Sequence, residues 1–188
     1  MSERKMKQVI FTAIIQAEWR EDRRRKMEKL EIRFNEIQRA IHVMREVSAW
    51  ARERGYRVWS EEWLTPEEMV TDDAGPENFC IGMLDGEVAC AFILQWKDGE
   101  YWPKKPEYGA AYLHKLCVRR KFAGRGVTGR VIGAVKEECR RRGIPYIRLD
   151  TALDEKRVRK IYLDAGFKIV DIIDYPNGRS MALYEMEV

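Results

Sequence analysis

The sequence predicts an α/β (α+β) fold, in which a mixed β-sheet carries helices on its faces. Some segments repeat apolar residues every three or four positions, as amphipathic helices do, and others alternate apolar with polar residues, as half-buried strands do. Asp85-Gly86 is a strong signal for a hairpin turn between two such strands. The elements follow the order β-α-α-β-β-β-α-β-α-β-β, and this interleaving favours one mixed sheet.

The N-terminal half begins with a short alternating strand at Leu30–Phe34. Asn35 is placed to cap the next helix, whose apolar stripe ends at Gly55. Thr65-Pro66-Glu67-Glu68 is the start signal of a second helix. These elements open a domain that we place at residues 29–188.

The C-terminal half alternates strands and helices. Its strands are predicted at Phe79–Leu84, Val88–Trp96, Ala110–Val118, Pro145–Asp150, Phe167–Ile173 and Met181–Val188. Its helices are predicted from Gly124 to Arg142 and from Glu155 to Ala165. Lys97-Asp98-Gly99-Glu100 has the composition of a turn, and an irregular aromatic loop at residues 101–108 follows it.

Residues 1–28 form an N-terminal extension outside this domain. Val9–Ile15 is apolar enough for either a short helix or a strand, and a basic cluster, Arg20–Lys26, follows it. Its large apolar side chains would stabilise the protein if they were buried, whereas in a solvated tail they would add no stability. We therefore expect a helical extension that packs on its own domain or on a neighbouring subunit.

Composition excludes several classes of protein. The 188 residues include six Trp, eight Tyr and six Phe, which is too aromatic for a long disordered chain. No apolar run approaches the roughly 20 residues that cross a bilayer, and no signal peptide opens the sequence. The cysteines lack metal-ligand spacing, so we expect free thiols in the cytoplasm and no metal: Cys80, Cys90, Cys117 and Cys139.

The charge pattern argues against a nucleic-acid partner. Lys and Arg number 35 and Asp and Glu number 31, which gives a formal net charge of +4. Nucleic-acid binders concentrate basic residues on one face, whereas acidic and basic residues alternate along most of this chain. We therefore expect neither nucleic acid nor a membrane as a partner.

One strand–loop–helix segment has the features of an anion site. The strand Ala110–Val118 ends in a short basic loop, and Gly124 and Gly126 open the next helix. The first N–H groups of a helix have no internal partners, and the helix dipole adds about half a positive charge there. Glycines let the backbone approach a bulky diphosphate. Further positive charge comes from Arg119, Arg120, Lys121 and Arg125.

Two nucleotide-binding motifs can be tested against this segment. The P-loop is excluded, because no Lys-Ser or Lys-Thr follows Gly129. Residues 124–129 match the dinucleotide fingerprint Gly-x-Gly-x-x-Gly, and Asp150, 21 residues after Gly129, partly meets its requirement for an acidic residue. A Rossmann fold would continue with further parallel units, whereas only a short helix and two antiparallel-looking strands remain.

The loop also resembles the pyrophosphate loop of the GCN5-related N-acetyltransferases, the GNAT superfamily. The family pattern is Gln/Arg-x-x-Gly-x-Gly/Ala after a strand, and this chain has Lys121-Phe122-Ala123-Gly124-Arg125-Gly126. A second signature, Tyr-x-x-x-Gly-Phe, appears as Tyr162-Leu163-Asp164-Ala165-Gly166-Phe167. Strand, helix and strand separate the two motifs in the family order. The resemblance extends from Leu30 to Val188 and implies the GNAT fold, with a mostly antiparallel sheet of about six or seven strands.

The resemblance implies an N-acetyltransferase that uses acetyl-CoA as co-substrate. Backbone groups at Cys117 and Val118 would hold the pantetheine arm and the thioester, and N–H groups of residues 122–128 would hold the pyrophosphate. The implied cofactor-binding set is Cys117, Val118, Lys121, Phe122, Ala123, Gly124, Arg125, Gly126, Val127 and Thr128. Lys121 departs from the family's Gln or Arg, so it keeps the charge without a planar guanidinium.

Two catalytic side chains follow from the same resemblance. Tyr162 would act as the general acid that protonates the departing thiolate. Residues 112–118 are similar to the His-x-His-x-Leu-x-Val strand of arylalkylamine N-acetyltransferases, whose histidines serve a water-linked path that accepts the proton of the amine. His114 is therefore the expected base or proton-path member, as a neutral imidazole near pH 7. Strand alternation would place Tyr112, His114 and Leu116 on one face.

Several acceptors fit the sequence, and we expect a small-molecule amine; a homodimer is compatible with the resemblance. Glu107 and Tyr112 are alternative bases or members of the proton path. The aromatic candidates for the acceptor pocket are Trp50, Trp59, Trp63, Trp96, Trp102 and Tyr108. Candidates for recognising a cationic amine are Glu61, Glu62, Glu67 and Glu68. The alternative function is a non-catalytic acyl-CoA-binding or regulatory module on the same fold.

Overall fold

A computed structural model of the chain describes residues 30–102 and 109–188. The extension at residues 1–28 lies outside the described residues, as do Glu107 and Tyr108. The strands are β1 (Glu31–Arg33), β2 (Phe79–Leu84), β3 (Glu87–Gln95), β4 (Ala110–Val118), β5 (Tyr146–Ala152), β6 (Lys168–Asp174) and β7 (Ser180–Glu187). The α-helices of these ranges are α1 (Ile37–Arg52), α2 (Pro66–Met69), α3 (Val127–Arg142) and α4 (Lys156–Asp164).

The seven strands form one sheet in the order β1-β2-β3-β4-β5-β7-β6. Among the described strands, only β4 and β5 pair in parallel, and all other neighbours pair antiparallel. The helix α3 supplies the crossover that a parallel pair requires. The predicted mixed, mostly antiparallel sheet is confirmed. The dinucleotide-binding alternative is wrong, because a Rossmann fold needs several parallel units in succession.

Helices cover both faces of the sheet, as predicted. On one face, α1 packs through Met44 on a cluster that includes Phe79 and Ile93. On the other face, Val131 and Val135 of α3 lie in a second cluster that extends across β3, β4, β5 and β7. The strand ends at the centre of the sheet are therefore fixed by packing on two sides.

The predicted hairpin turn is confirmed, whereas the predicted cap of the first helix is wrong. Asp85 and Gly86 both have positive φ, 54° and 80°, as a tight hairpin turn between β2 and β3 requires. Asn35 does not cap α1. It adopts a left-handed conformation with φ of 57°, and Glu36 is the N-cap without a side-chain hydrogen bond. Asn tolerates this conformation, so it turns the chain from β1 into the helix instead.

A bulge at Lys115 interrupts β4. The register against β3 slips by one residue there, and Lys115 has a φ of 50°. The extra residue reverses the alternation of side chains. Cys117 therefore packs in the α1 cluster, whereas Leu116 packs in the α3 cluster. The prediction that Leu116 shares a face with Tyr112 and His114 is wrong, because a period of two cannot anticipate an inserted residue.

No helix in the two described ranges is long and apolar enough to cross a membrane. The four cysteines are buried and form no disulfide, as the sequence predicts. Burial raises the pKa of Cys90 and of Cys117 to about 12, so both thiols keep their protons at neutral pH. Neither is therefore ready to act as a thiolate nucleophile.

Candidate active site

A gap opens between β4 and β5 at the centre of the sheet. Their parallel ladder joins only residues 110–112 to residues 146–148. Beyond it β4 runs on to Val118 and β5 to Ala152 without pairing to each other. Cys117 lies on this free stretch with Val118, where the resemblance places the thioester. Backbone groups on the facing edges have no ladder partner across the gap, so an extended ligand with amide groups fits there.

The glycine-rich loop lies between the end of β4 and the start of α3. Gly124 and Gly126 have positive φ, 78° and 68°, which an L side chain adopts only with strain. A Cβ atom at either position would meet no atom within 4 Å, so the loop faces open space. The first backbone bond of the helix runs from the N–H of Arg130 to the carbonyl of Gly126, at 3.2 Å. The amides before Arg130 have no partner within α3, which suits them to a phosphate.

Two basic side chains of this loop pair with acids of the β2–β3 hairpin. Lys121 Nζ lies 2.6 Å from Glu87 Oε2, and Arg125 Nη2 lies 2.6 Å from Asp85 Oδ2. Both pairs are at the surface, where an ion pair contributes about 0–1 kcal/mol. A phosphate group can therefore replace these carboxylates as the partner of Lys121 and Arg125 at a small cost in free energy.

The other predicted loop residues divide between core and surface. Phe122 and Val127 are buried in the α3 cluster, so their side chains hold the loop and only their backbone can meet a ligand. Ala123 is exposed, and Thr128 is half-buried on the first turn of α3. The loop thus presents mainly N–H groups, which suits a diphosphate better than a neutral ligand.

Tyr162 lies on α4, on the face of the sheet that α3 covers. Its ring packs edge-to-face on Phe167, with centroids 5.8 Å apart, and against Tyr184 at 6.2 Å. Burial and then the charge of Asp150 raise the pKa of Tyr162 above its usual value. The hydroxyl therefore keeps its proton at neutral pH and can act as an acid.

His114 lies on the α1 face, between two carboxylates. Its Nε2 is 3.1 Å from Oδ2 of Asp98, and its Nδ1 is 3.3 Å from Oδ1 of Asp150. Burial alone would lower the pKa of His114, but its contacts with Asp150 and Asp98 outweigh burial and raise the pKa to about 9. The expectation of a neutral imidazole near pH 7 does not hold, because the carboxylates retain its proton.

The sequence did not identify Asp98 and Asp150 as partners of His114. Asp98 lies in a Lys-Asp-Gly-Glu stretch, which has the composition of an ordinary exposed turn. In the sequence, Asp150 matches only the acidic position of a dinucleotide motif. Both side chains reach His114 through the β3–β4 connection and β5, which are remote from it in sequence, so no local pattern could have revealed them.

Tyr112 is not placed to act as a base. It is 1% exposed, and its hydroxyl accepts a hydrogen bond from Nη1 of Arg148 at 2.9 Å. Trp102 packs beside it in the core, also nearly inaccessible to solvent. Both residues belong to a core cluster next to the strand that carries His114.

The other aromatic candidates are dispersed. Trp96 packs in the α3 cluster under the guanidinium of Arg142, away from the α1 face. Trp63 is 54% exposed, and Trp50 lies under the guanidinium of Arg120. Trp59 packs on the α1 cluster. Its ring centroid lies 5.2 Å from Nζ of Lys115. Trp59 thus contacts the residue that follows His114 in the chain.

The predicted glutamates have local roles in the described structure. Glu61 pairs with Arg52 at 3.4 Å, and Glu62 accepts a hydrogen bond from the Ser60 hydroxyl. Glu67 and Glu68 lie in the first turn of α2, where acidic side chains complement the helix dipole. All four residues are thus on or beside the short helical segments that follow α1.

A family model for acetyltransferases of the GNAT family matches residues 44–167, which is more than half of the chain. The chain belongs to the GNAT family. This acetyltransferase is also 27% identical over 128 residues to YesJ of Bacillus subtilis (strain 168), which is named an uncharacterized N-acetyltransferase. That match covers 64% of this chain and 70% of YesJ. The protein is therefore an acyltransferase of the GNAT type.

Solved structures agree with the fold. A GNAT acetyltransferase from Listeria monocytogenes 4b F2365 has a TM-score of 0.67 at 21% identity, covering 85% of this chain and 95% of its own. The PaiA N-acetyltransferase of Thermoplasma acidophilum, solved with coenzyme A, has a TM-score of 0.61 at 16% identity, covering 85% and 99%. The ribosomal-protein-S18-alanine N-acetyltransferase of Escherichia coli has a TM-score of 0.58 at 14% identity, covering 85% and 94%. The GNAT fold is confirmed.

Proposed function

We propose that this GNAT acetyltransferase transfers the acetyl group of acetyl-CoA to a primary amine of a small-molecule acceptor. The observation that carries the proposal is the gap between β4 and β5, which has the glycine-rich loop at one end. Tyr162 lies on one face of the sheet beside it, and His114 lies on the other. A thioester in the gap would thus have an acid on one side and a proton acceptor on the other.

In the proposed reaction the amine attacks the thioester carbonyl directly. A C–N bond forms and the C–S bond breaks, the proton of Tyr162 goes to the departing thiolate, and the proton of the amine goes to the neutral form of His114. Direct attack is favoured over an acyl-cysteine intermediate, because burial raises the pKa of Cys117 to about 12 and keeps this thiol neutral.

The cytoplasm is the proposed location. The four buried cysteines form no disulfide in the described structure, and free thiols are usual in a reducing compartment.

Acetyl-CoA should bind and raise the melting temperature. At about 100 times its dissociation constant, a ligand of the folded state adds roughly 2.7 kcal/mol, which is about 5–10 °C for a domain of this size. Differential scanning fluorimetry measures the shift. CoA should stabilise nearly as much and NAD not at all, so a shift with NAD but not with CoA would contradict the proposal.

Acetyl transfer itself is tested with a panel of amines and the purified full chain, by detecting free CoA. At least one small primary amine should increase CoA release above the hydrolysis rate measured without acceptor. Mass spectrometry of the product should show the acetyl group on nitrogen. If acetyl-CoA binds but neither the amines of the panel nor protein amines are acetylated, the proposal of acetyl transfer to an amine is wrong.

A further inference from the structure

Asp98 is a buried carboxylate held in a fixed orientation. It is 3% exposed, and its Oδ1 accepts a hydrogen bond from the N–H of Tyr101 at 2.9 Å. Its Oδ2 has no hydrogen-bond partner and lies 3.1 Å from Nε2 of His114. Since a buried charge is costly unless it is paired, the imidazole is the group that compensates Asp98.

The connection that carries Asp98 is itself tied to a distant part of the chain. Asp73 accepts a hydrogen bond from the N–H of Gly99 at 2.9 Å and pairs with Lys97 Nζ at 3.0 Å. Gln95 donates to the carbonyl of Lys97 at 3.0 Å. These contacts fix the turn on both sides of Asp98, so its carboxylate is aimed at His114 by the fold and not by a flexible loop.

The two contacts of His114 place a carboxylate oxygen beside each ring nitrogen. A neutral imidazole has one N–H and one lone pair, so one nitrogen would present its lone pair to a carboxylate oxygen. An imidazolium has two N–H groups and is attracted to both Asp98 and Asp150. The contacts are close ion pairs and not aligned hydrogen bonds, since His114 Nε2 and Asp150 Oδ1 also lack hydrogen-bond partners.

We propose that Asp98 and Asp150 are positioning residues that hold His114 as an imidazolium between them, and that the proton path of the enzyme begins from this charged trio. The inference rests on the proposed function only where it assigns the trio to the proton path. The arrangement of charge in the trio stands on the geometry alone.

Other ionisable groups surround the trio from each neighbouring element among the described residues. They are Glu100 and Tyr101 of the β3–β4 connection, Lys115 of β4, Tyr162 of α4 and Tyr175 of the β6–β7 turn. The Tyr101 ring lies 5.9 Å from the His114 ring. Burial raises the pKa of Tyr101 and of Tyr175 and lowers the pKa of Lys115. The two tyrosines are therefore uncharged near neutral pH, and the two aspartates are the charges that contact His114.

A strongly basic imidazole suits proton transfer from an alkylammonium ion. Such an ion has an ordinary pKa of about 10, so an imidazole of ordinary pKa, about 6.5, would accept its proton only against a large difference. With the pKa of His114 raised to about 9, the difference is small. The consequence is that the reactive, neutral form of His114 is a minor species at pH 7, and the rate should rise until about pH 9.

The imidazole can be titrated directly by NMR in the full chain without cofactor or acceptor. The sequence has two histidines, and His42 is exposed on α1, so the signal that disappears in His114→Gln belongs to His114. We expect its midpoint near pH 9. Asp98→Asn keeps the shape of the side chain and removes its charge, so the midpoint should fall by about 1–3 pH units.

Asp73→Asn is the matched control, because it loosens the same turn without changing a charge that faces His114. We expect it to leave the midpoint of His114 within about 0.3 pH units of the unsubstituted protein, well below the shift expected for removal of a contacting charge. A purely structural role of Asp98 predicts equal effects of the two substitutions. Equal effects, or a midpoint of the unsubstituted protein between pH 6 and 7, would overturn the proposed trio.

The rate profile tests the second half of the proposal with an acceptor from the amine panel. In Asp98→Asn the rising limb of kcat/KM should move to lower pH by the same interval as the NMR midpoint. In His114→Gln only the limb from ionisation of the acceptor amine, with a pKa of about 10, should remain. If the NMR midpoint shifts and the rate profile does not, His114 is a charged structural group and lies outside the proton path. If no amine is acetylated at all, only the proposed function fails, since the NMR titration is independent of activity.

The same trio should make stability depend on pH. The pKa of His114 is raised in the folded protein, so its contribution is complete below the unfolded value of about 6.5 and is lost as pH rises through about 9. The melting temperature of the unsubstituted protein should therefore fall relative to that of His114→Gln across this interval. Parallel melting curves of the two proteins across it would contradict the charged state of the trio.

Discussion

Replacing Tyr162 by Phe should lower turnover about 100-fold or more and leave acetyl-CoA affinity nearly unchanged. The substitution keeps the ring that packs on Phe167 and Tyr184 and removes only the hydroxyl. In the proposed mechanism that hydroxyl acts on the thiolate as it leaves, so its loss affects the transition state and not the bound ground state. Steady-state kinetics and a calorimetric titration with acetyl-CoA measure the two quantities separately.

Tyr184→Phe is the matched control for this experiment. It removes a neighbouring buried hydroxyl, which contacts the hydroxyl of Thr151 at 3.4 Å. It should cost some stability and change turnover little, because Tyr184 lies in the core. Loss of a general acid should decrease turnover by far more than threefold. If turnover of Tyr162→Phe stays within about threefold of the unsubstituted enzyme, Tyr162 is excluded from that role.

Gly126→Asp should weaken acetyl-CoA binding by roughly 100-fold or more. Asp is a good N-cap residue and tolerates a left-handed backbone better than most residues, so the helix should still form. Its carboxylate would occupy the open space where the loop faces the proposed diphosphate. Repulsion between two unit charges about 5 Å apart near a protein surface is on the order of 3 kcal/mol, which is about a hundredfold in Kd.

Gly126→Asn separates charge from shape in this prediction. Asn has nearly the same size as Asp and the same tolerance of positive φ, but it carries no charge. It should weaken binding by much less than Asp does. Both variants should melt at similar temperatures, somewhat below that of the unsubstituted protein, because a side chain at this φ is strained. Equal Kd values for the two variants would show that no anion binds at this loop.

The sequence predicted the parts of the site that local patterns specify. The Gly124–Gly126 spacing, the Tyr162 signature and the strand that carries His114 are each contained in a short segment, and the structure places them on the expected elements. The parts that it missed depend on contacts between distant segments. Asp98 belongs to a turn that Asp73, 25 residues earlier in the chain, helps to fix, and composition cannot distinguish such a turn from an exposed one.

Two local predictions failed for a different reason. Asn35 and Lys115 both adopt positive φ, and in each case the chain required a change of direction that the pattern of apolar residues does not record. At Asn35 the residue type permits either a cap or a left-handed turn, so the sequence left two outcomes of similar energy. At Lys115 nothing in the residue type favours the bulge, which is visible only in the register against β3.

The short ladder between β4 and β5 also divides the sheet mechanically. Strands β1–β4 form one antiparallel half and β5–β7 form the other, and three residue pairs join them. The apolar cluster under α3 extends across both halves, so their side chains couple them more strongly than the ladder does. A ligand that fills the gap would add backbone contacts to both halves. Bound cofactor would thus reinforce, at the level of the backbone, a connection that the core already makes through side chains.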